Sequence, residues 1–313
     1  MFARHRFTGF MPALTVVLAL TGASSASAQD TSTLVREGAG LSFQSDPLAR
    51  ADILIEGEAL ARLNWQDDQP AFPGDRPGSL TALYDSRLEA GRFGIALPAT
   101  WDQDDTFTAA AILVIESEGF SADPNGFFGI SWGLWNTEQP GLNRTGDFTD
   151  FAADTFEVME FSWFPNVSPF FGGPYLSPAL FGEAHTADPL FPFLGGFSNF
   201  AFGSTQAALP LDEPLLAVIQ HLPDADAIVF SVARIVNGGH LVPVPGALAV
   251  IDLNTLPLRA FSLDALGLTL WQDGFTGETP SVDVSVTYHH LVALPGEVNR
   301  LESLLHLPDA VQP

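Results

Sequence analysis

The sequence contains neither cysteine nor lysine. Without cysteine, the chain forms no disulfide in an oxidising compartment and carries no lipid anchor on a thiol. All twelve basic residues are therefore arginine, and with 37 acidic residues they give a formal net charge of −25 at pH 7. This charge repels phosphate groups, so it argues against nucleic acid or anionic lipid as a partner. It suits a protein that stays soluble in salt or holds divalent cations.

Long apolar runs are also scarce, and the one near the N-terminus has the features of an export signal. Arg4 and Arg6 precede the apolar run 11–20, and the small residues 26–28 come directly before Gln29. This order is that of a signal peptide, and the run is short for a membrane span. We predict a signal peptide at 1–28, an exported protein in the periplasm or outside the cell, and no integral membrane segment after cleavage. A buried N-terminal helix is the alternative.

Residues that favour turns are abundant, with 24 prolines and 28 glycines beside 26 phenylalanines. This composition predicts short strands around a large core rather than disorder. The strands show no alternation with helices, which predicts one antiparallel β-sandwich at 41–295 after a flexible lead-in at 29–40. We predict one strand over 51–65 and a long loop over 165–201. Apolar residues at helical spacing predict a short amphipathic helix within 296–313, packed on the sandwich.

The strand pattern resembles that of the concanavalin A-like lectin and glucanase superfamily. Five segments also resemble a group of uncharacterised secreted bacterial proteins, namely 129–136 (GISWGLWN), 143–146 (NRTG), 156–166 (FEVMEFSWFPN), 172–174 (GGP) and 272–275 (QDGF). The resemblance implies a jelly roll of two large antiparallel sheets over most of the chain. It leaves the activity open, because this architecture carries lectins, hydrolases, lyases and inert modules alike.

Glu157 and Glu160 are the candidate catalytic residues, because a retaining glycosidase holds two carboxyl groups about 5 to 5.5 Å apart. They are three positions apart in a predicted strand. Side chains separated by an odd number of residues point to opposite faces of a sheet, so only a β-bulge would bring them together. The spacing therefore argues against catalysis by this pair.

Five aromatic side chains are candidates for stacking on sugar rings, namely Trp132, Trp135, Trp163, Tyr175 and Trp271. Packing in the core is the alternative for each of them. Trp132 and Trp135 are separated by an odd number of residues, so one faces the core if the other faces a ligand. As a group, these residues favour glycan binding.

Clustered acidic residues in two predicted loops suggest a calcium site. One loop contains Asp102, Asp104 and Asp105, and a second contains Asp147, Asp150 and Asp154. Calcium takes six to eight oxygen ligands, which such loops supply, yet neither loop has the glycine and final glutamate of a standard calcium loop. One structural calcium and solvated turn carboxylates are the two interpretations.

The histidines do not have the spacing of a metal site. His289 and His290 are adjacent in a predicted strand, so we expect them to point to opposite sides and not to bind one metal together. The others are scattered, and the sequence contains no phosphate loop or dinucleotide fingerprint. These observations argue against zinc and nucleotide chemistry.

Taken together, the sequence favours a secreted, non-catalytic β-sandwich that binds a glycan or belongs to an extracellular matrix or envelope. A polysaccharide-active glycoside hydrolase that uses Glu157 or Glu160 is one alternative. A structural surface protein that assembles with itself is the other. We expect no cofactor apart from the calcium ion considered above, and the sequence leaves the oligomeric state open.

Overall fold

A computed structural model gives the architecture of the chain between Gly38 and His306. The described residues all belong to one unit, Thr31–Pro313. The predicted signal peptide and most of the lead-in lie outside them. The described ranges are 38–67, 70–72, 75, 77–85, 88–118, 120, 129–138, 157–165, 174–181, 200–256, 260–270 and 283–306.

Strands dominate the described ranges, and they are numbered here in chain order. They are β1 Ala39–Ser42, β2 Ile53–Gly57, β3 Leu63–Gln66, β4 Ser79–Asp85, β5 Gly91–Asp102, β6 Phe107–Ile115, β7 Ile130–Trp135, β8 Val158–Phe164, β9 Tyr175–Leu176, β10 Ala179–Phe181, β11 Phe200–Phe202, β12 Thr205–Gln206, β13 Pro214–Leu222, β14 Ala227–Val236, β15 His240–Asp252, β16 Ser262–Leu270 and β17 Asp283–Pro295.

These strands form two sheets in which every described pair is antiparallel. The eight-stranded sheet has the order β15-β14-β13-β6-β17-β4-β3, with β1 beside β17. The nine-stranded sheet has the order β11-β10-β8-β7-β16-β5-β2, with β9 beside β8 and β12 beside β9. The predicted antiparallel jelly-roll sandwich is confirmed.

Alternating apolar side chains bring the two sheets together. In β17, Val284, Val286 and Tyr288 are buried in the main core. In β6, alternate residues all enter the same core, namely Phe107, Ala109, Ala111, Leu113 and Ile115. Because the side-chain period of a strand is two, the residues between them point to the other face of the sheet.

The strand predicted over 51–65 is two strands that belong to different sheets. Gly57 ends β2 with φ +57°, and a Cβ there would lie 2.2 Å from the Ala90 carbonyl oxygen. The 3₁₀ helix Ala59–Arg62 follows, and β3 then joins the eight-stranded sheet. The prediction was wrong because alternation cannot show a change of sheet, which here depends on a left-handed glycine.

The long loop predicted over 165–201 was also wrong in part. β9 and β10 lie within it, and β11 begins at its end. Both β9 and β10 pair with β8, so this Pro- and Gly-rich stretch contributes short strands to the nine-stranded sheet. Strands of two or three residues are too short to show an alternating pattern.

The predicted C-terminal helix is present as one short 3₁₀ helix, Leu301–His306. Leu304, Leu305 and the preceding Val298 are buried in a second apolar cluster, which lies on the side of the eight-stranded sheet that faces away from the main core. The C-terminal segment therefore covers part of that side. Within the described ranges, no helix is both long and apolar enough to cross a membrane.

A pair of buried tyrosines connects the sheets through hydrogen bonds. The Tyr84 hydroxyl donates to the backbone carbonyl of Ser131 in β7 at 2.7 Å. Since that uses its proton, it accepts from the Tyr288 hydroxyl, which is also 2.7 Å away. Burial raises the pKa of both tyrosines, so both stay protonated in the fold.

Replacing the two tyrosines separately tests this link. We expect Tyr84→Phe to cost about 1–3 kcal/mol, because the buried Ser131 carbonyl and the Tyr288 hydroxyl both lose a partner. Tyr288→Phe leaves the bond to Ser131 in place and should cost only about 0.5–1.5 kcal/mol. Urea unfolding followed by tryptophan fluorescence measures both values, and equal costs would contradict the proposed direction of the bonds.

Candidate functional site

The outer face of the nine-stranded sheet, which points away from the eight-stranded sheet, contains an unusual set of side chains. Trp132 and Leu134 of β7 enter the main core, so Ser131, Gly133 and Trp135 point to the outer face. Trp135 packs there in a separate apolar cluster with side chains from β8, β10 and β16. This face is buried and is partly polar, unlike the core behind it.

Five polar side chains lie in register across this face and are called the polar row. They are Ser162 on β8, Ser131 on β7, Thr269 on β16, Arg92 on β5 and Glu56 on β2. Adjacent strands lie about 4.8 Å apart, so the polar row spans roughly 19 Å across the strands. The first four are buried, and only Glu56 is substantially exposed, at 38% of its side chain.

Next to the polar row lies a line of glycines, Gly133, Gly267 and Gly94, paired across β7, β16 and β5. A Cβ at any of the three would lie 2.0–2.2 Å from a backbone oxygen of the neighbouring strand. This distance is too short for any side chain. The three strands therefore present bare backbone here.

The indole of Trp135 occupies the space above two of these glycines. Its Cη2 atom lies 2.5 Å from the Cβ position of Gly94 and 2.6 Å from that of Gly267. The Arg92 guanidinium lies 5.6 Å from the centroid of the indole ring, within the range of a cation–π contact. The glycines, the ring and the arginine thus form one packed unit beside the polar row.

Two carboxylates act on Arg92. Glu56 lies 3.8 Å from it, and Glu160, fully buried and opposite Gly133, also interacts with it electrostatically. Burial lowers the pKa of Arg92, while Glu56 and Glu160 oppose that shift. The arginine remains charged, since its pKa starts far above neutrality.

Two buried polar atoms on this face make no hydrogen bond to any described residue, the Trp135 Nε1 and the Thr269 Oγ1. Ser131 and Ser162 lie near Thr269 in the polar row, with their hydroxyl oxygens 3.1 Å apart. A buried donor without an acceptor costs free energy, and such groups normally have a partner. A polar group that reached these atoms would bond to them without breaking an existing hydrogen bond.

Glu157 and Glu160 are kept apart. Glu160 lies on the outer face, whereas Glu157 comes just before β8 and accepts hydrogen bonds from the Asn136 side chain and the Ser262 amide, each at 2.9 Å. Glu157 thus holds strand ends together. The carboxylate of the polar row, Glu56, is on a strand four positions from that of Glu160, so the backbones that carry the two side chains are about 19 Å apart.

The five candidate aromatic residues do not form one surface. Trp132 and Trp163 are buried in the main core, where Trp163 donates to the Ala207 carbonyl, so neither lines the outer face. Trp135 lies on the outer face, and Tyr175 is half-buried on β9. Trp271 lies outside the described residues. The odd spacing of Trp132 and Trp135 places them on opposite faces of β7.

Sequence patterns alone did not single out Arg92, Ser131, Ser162 or Thr269 as site residues. Each is a polar residue inside a strand whose other residues are mostly apolar. In a strand buried on both faces, one such residue breaks an otherwise continuous apolar run. Such an interruption can be seen in the sequence. That the four residues lie side by side, however, depends on the order of the strands in the sheet, which only the fold shows.

In the acidic turn before β6, carboxylates accept hydrogen bonds from backbone amides of the same turn. Asp105 accepts from the Asp102 amide at 2.9 Å, and Asp102 accepts from the Asp104 amide at 2.8 Å. No group of three histidines or carboxylates in the described ranges is arranged to hold a metal ion. The calcium site stays a prediction, and the second acidic loop, with Asp147, Asp150 and Asp154, lies outside these ranges.

The expectation that His289 and His290 point to opposite sides was wrong. The pairing of β17 with β6 shifts between Tyr288 and His290, which makes His289 the extra residue of a β-bulge. Both rings consequently approach the buried Asp75, with His290 Nε2 at 3.0 Å and His289 Nδ1 at 4.0 Å from its carboxylate oxygens. A bulge cannot be read from strand alternation.

His221 is buried at one end of the main core. Its ring stacks on Phe107 at 5.0 Å and meets the edge of Phe261 at 5.1 Å. Its Nδ1 donates to the Asp105 carbonyl at 2.6 Å, and its buried Nε2 has no partner among the described residues. Burial lowers the pKa of His221, and Asp105 opposes the shift.

This lowered pKa predicts a loss of stability in mild acid. The unfolded histidine takes up a proton near pH 6.5, whereas the folded one resists, so the free energy of unfolding should fall below pH 6.5 by up to about 1.4 kcal/mol per pH unit. His221→Phe should be less stable at pH 7 and show a shallower slope. Urea unfolding from pH 7.5 to 5.5 measures the free energy of unfolding of both proteins. If it depends on pH equally in the wild type and the variant, His221 is not the residue responsible.

The glycine line predicts a severe effect of single methyl groups. Gly133→Ala and Gly267→Ala should each cost about 3 kcal/mol or more, because the methyl group would overlap backbone. Gly238→Ala is the control. Gly238 has φ +80° but no neighbouring atom closer than 3.7 Å, so backbone strain of about 1–2 kcal/mol is expected. In thermal unfolding, the melting temperature of Gly238→Ala should lie well above those of the other two variants.

Comparison with known proteins gives a similarity of fold only. No family model and no curated protein sequence matches the chain. Among solved structures, the Emp47p carbohydrate recognition domain is 12% identical, with a TM-score of 0.43 over 82% of this chain and 95% of its own. Peanut lectin, in complex with a nine-residue peptide, is 11% identical, with a TM-score of 0.41 over 84% of this chain and 100% of its own.

The PL-14 alginate lyase from Aplysia kurodai is 10% identical, with a TM-score of 0.48 over 82% of this chain and 98% of its own. At such identities, no residue role passes from these proteins to this one. The antiparallel two-sheet architecture itself follows from the strand pairing of this chain.

Proposed function

We propose that the protein binds an extended carbohydrate chain on the outer face of its nine-stranded sheet and does not cleave it. The observation that carries this proposal is the pair of buried polar atoms, Trp135 Nε1 and Thr269 Oγ1, that make no hydrogen bond to described residues. They lie on the same face as the hydroxyls of Ser131 and Ser162. A ligand rich in hydroxyl groups would satisfy all of them.

The dimensions of the face favour a chain over a single sugar. The polar row runs across the strands for roughly 19 Å and offers hydroxyl, guanidinium and carboxylate groups in line. The buried Trp135 indole packs next to the polar row and forms its apolar wall. A few well-placed polar groups with an aromatic wall are typical of small-molecule sites.

The arrangement of carboxylates supports binding without cleavage. Glu160 and Glu56 are carried by strands four apart in the sheet, a backbone separation of about 19 Å, and Glu157 is engaged with Asn136 and Ser262. Glycosidases of either stereochemical class need two carboxyl groups within about 5 to 9.5 Å of each other. The predicted export signal is consistent with a polysaccharide ligand outside the cytoplasm, and we propose a periplasmic or extracellular location.

Two matched pairs of variants test the site. Trp135→Phe and Thr269→Val each remove one polar atom that lacks a protein partner. Trp132→Phe and Ser79→Ala remove comparable partnerless atoms elsewhere, Trp132 on the opposite face of the same strand and Ser79 in the other sheet. Every variant removes a buried polar atom without breaking a described hydrogen bond, so the four should fold comparably.

The measurement is retention of the mature chain on a panel of soluble β-glucans, mannans, xylans, alginate and polygalacturonate, with and without calcium. We expect at least one polysaccharide to be retained intact. Trp135→Phe and Thr269→Val should weaken retention by roughly 2- to 10-fold each, while the two controls bind like the wild type.

Three outcomes would contradict the proposal. Shortened products in mass spectrometry would indicate an enzyme that uses Glu157 or Glu160. No retention on any polysaccharide, together with oligomers in sedimentation, would favour a self-assembling structural protein. Equal effects of the site and control variants would place the ligand elsewhere on the protein.

A further inference from the structure

We infer that this face selects uncharged polysaccharides and excludes those that carry carboxylate or sulfate groups. The inference rests on the proposed function and names the chemical class of its ligand. It follows from the charges around the polar row and from the net charge of the whole chain. The hydroxyl and indole groups of the face need no charge on the ligand.

The charges of the described residues on this face are net negative. Arg92 is the only basic residue in the described strands of the nine-stranded sheet. Glu56 lies 3.8 Å from its guanidinium, and the buried Glu160 also acts on it. An anionic group of a glycan that approached Arg92 would therefore meet two carboxylates around one cation. Electrostatic complementarity discriminates strongly against such like-charge contacts.

The charge of the whole chain adds to this effect at longer range. The formal charge of −25 creates a repulsive field for any polyanion. This field is screened within about 10 Å at 0.1 M salt and reaches about 30 Å at 0.01 M. An acidic polysaccharide should accordingly be excluded most strongly at low salt, whereas binding of a neutral chain should change little.

The rest of the face contains uncharged polar groups that could bind an uncharged chain. Thr269 Oγ1 and Trp135 Nε1 are two buried polar atoms without a described hydrogen-bond partner, and neither is ionisable near neutral pH. Recognition of a hydroxyl-rich chain is thus available through groups that gain nothing from a negative ligand.

The test compares polysaccharides that differ in charge alone. The probes are hydroxyethyl against carboxymethyl cellulose, dextran against carboxymethyl dextran, methyl-esterified against free polygalacturonate, and any polysaccharide retained in the panel against its C6-carboxylated form. Isothermal titration calorimetry at 20 and 200 mM salt measures each affinity. We expect the neutral member of a bound pair to bind at least about tenfold more tightly at 20 mM salt.

Glu56→Gln tests the local part of the selectivity, and Glu213→Gln is its matched control. Glu213 is similarly exposed and pairs with Arg234 at 3.3 Å, in the other sheet. Both variants change the net charge equally. Glu56→Gln should raise the ratio of acidic to neutral affinity about fivefold at low salt, and Glu213→Gln should leave that ratio near the wild-type value.

The possible failures are distinguishable. Preferential binding of an acidic member, weakened by salt, would overturn the inference and leave the proposed function standing. An equal change in the ratio of acidic to neutral affinity in Glu56→Gln and Glu213→Gln would show that Glu56 has no local role. If no member of any pair binds and the panel retains nothing, both the inference and the proposed function fail.

Discussion

Burial of both faces of the central strands is the constraint on which the rest of the nine-stranded sheet depends. Every residue of β7 and β8 is buried, whichever way it points. A strand in that position is normally apolar throughout. Here its outer side holds serines, a glutamate and an indole, each of which must find a partner away from bulk water. The polar row supplies some of these partners, as in the contact between the Ser131 and Ser162 hydroxyls.

The core and the outer face meet at one residue. The backbone carbonyl of Ser131 accepts the bond from Tyr84 on the core side, while its hydroxyl contacts Ser162 on the outer side. A hydrogen bond between the sheets therefore fixes β7, the second strand of the polar row. Sites held by rigid strands keep their geometry better than sites carried on loops.

Much of the fold could be predicted from the sequence, because alternation reports which side of a strand is buried. It failed where a single residue changes the geometry, as Gly57 does between two sheets and His289 does at a bulge. The candidate site was predicted less well. Glu160 and Trp135 were singled out, but their relation to Arg92 and Thr269 depends on the order of strands, which no local pattern contains.

The line of glycines has a consequence for the history of this fold. Gly94, Gly133 and Gly267 are separated by long stretches of chain, yet each is fixed by backbone contact with its neighbouring strand. Selection on ligand preference can exchange the polar residues beside them, whereas a mutation at any of the three acts first on folding. Distant descendants of a common ancestor would share these glycines long after they had ceased to share a ligand.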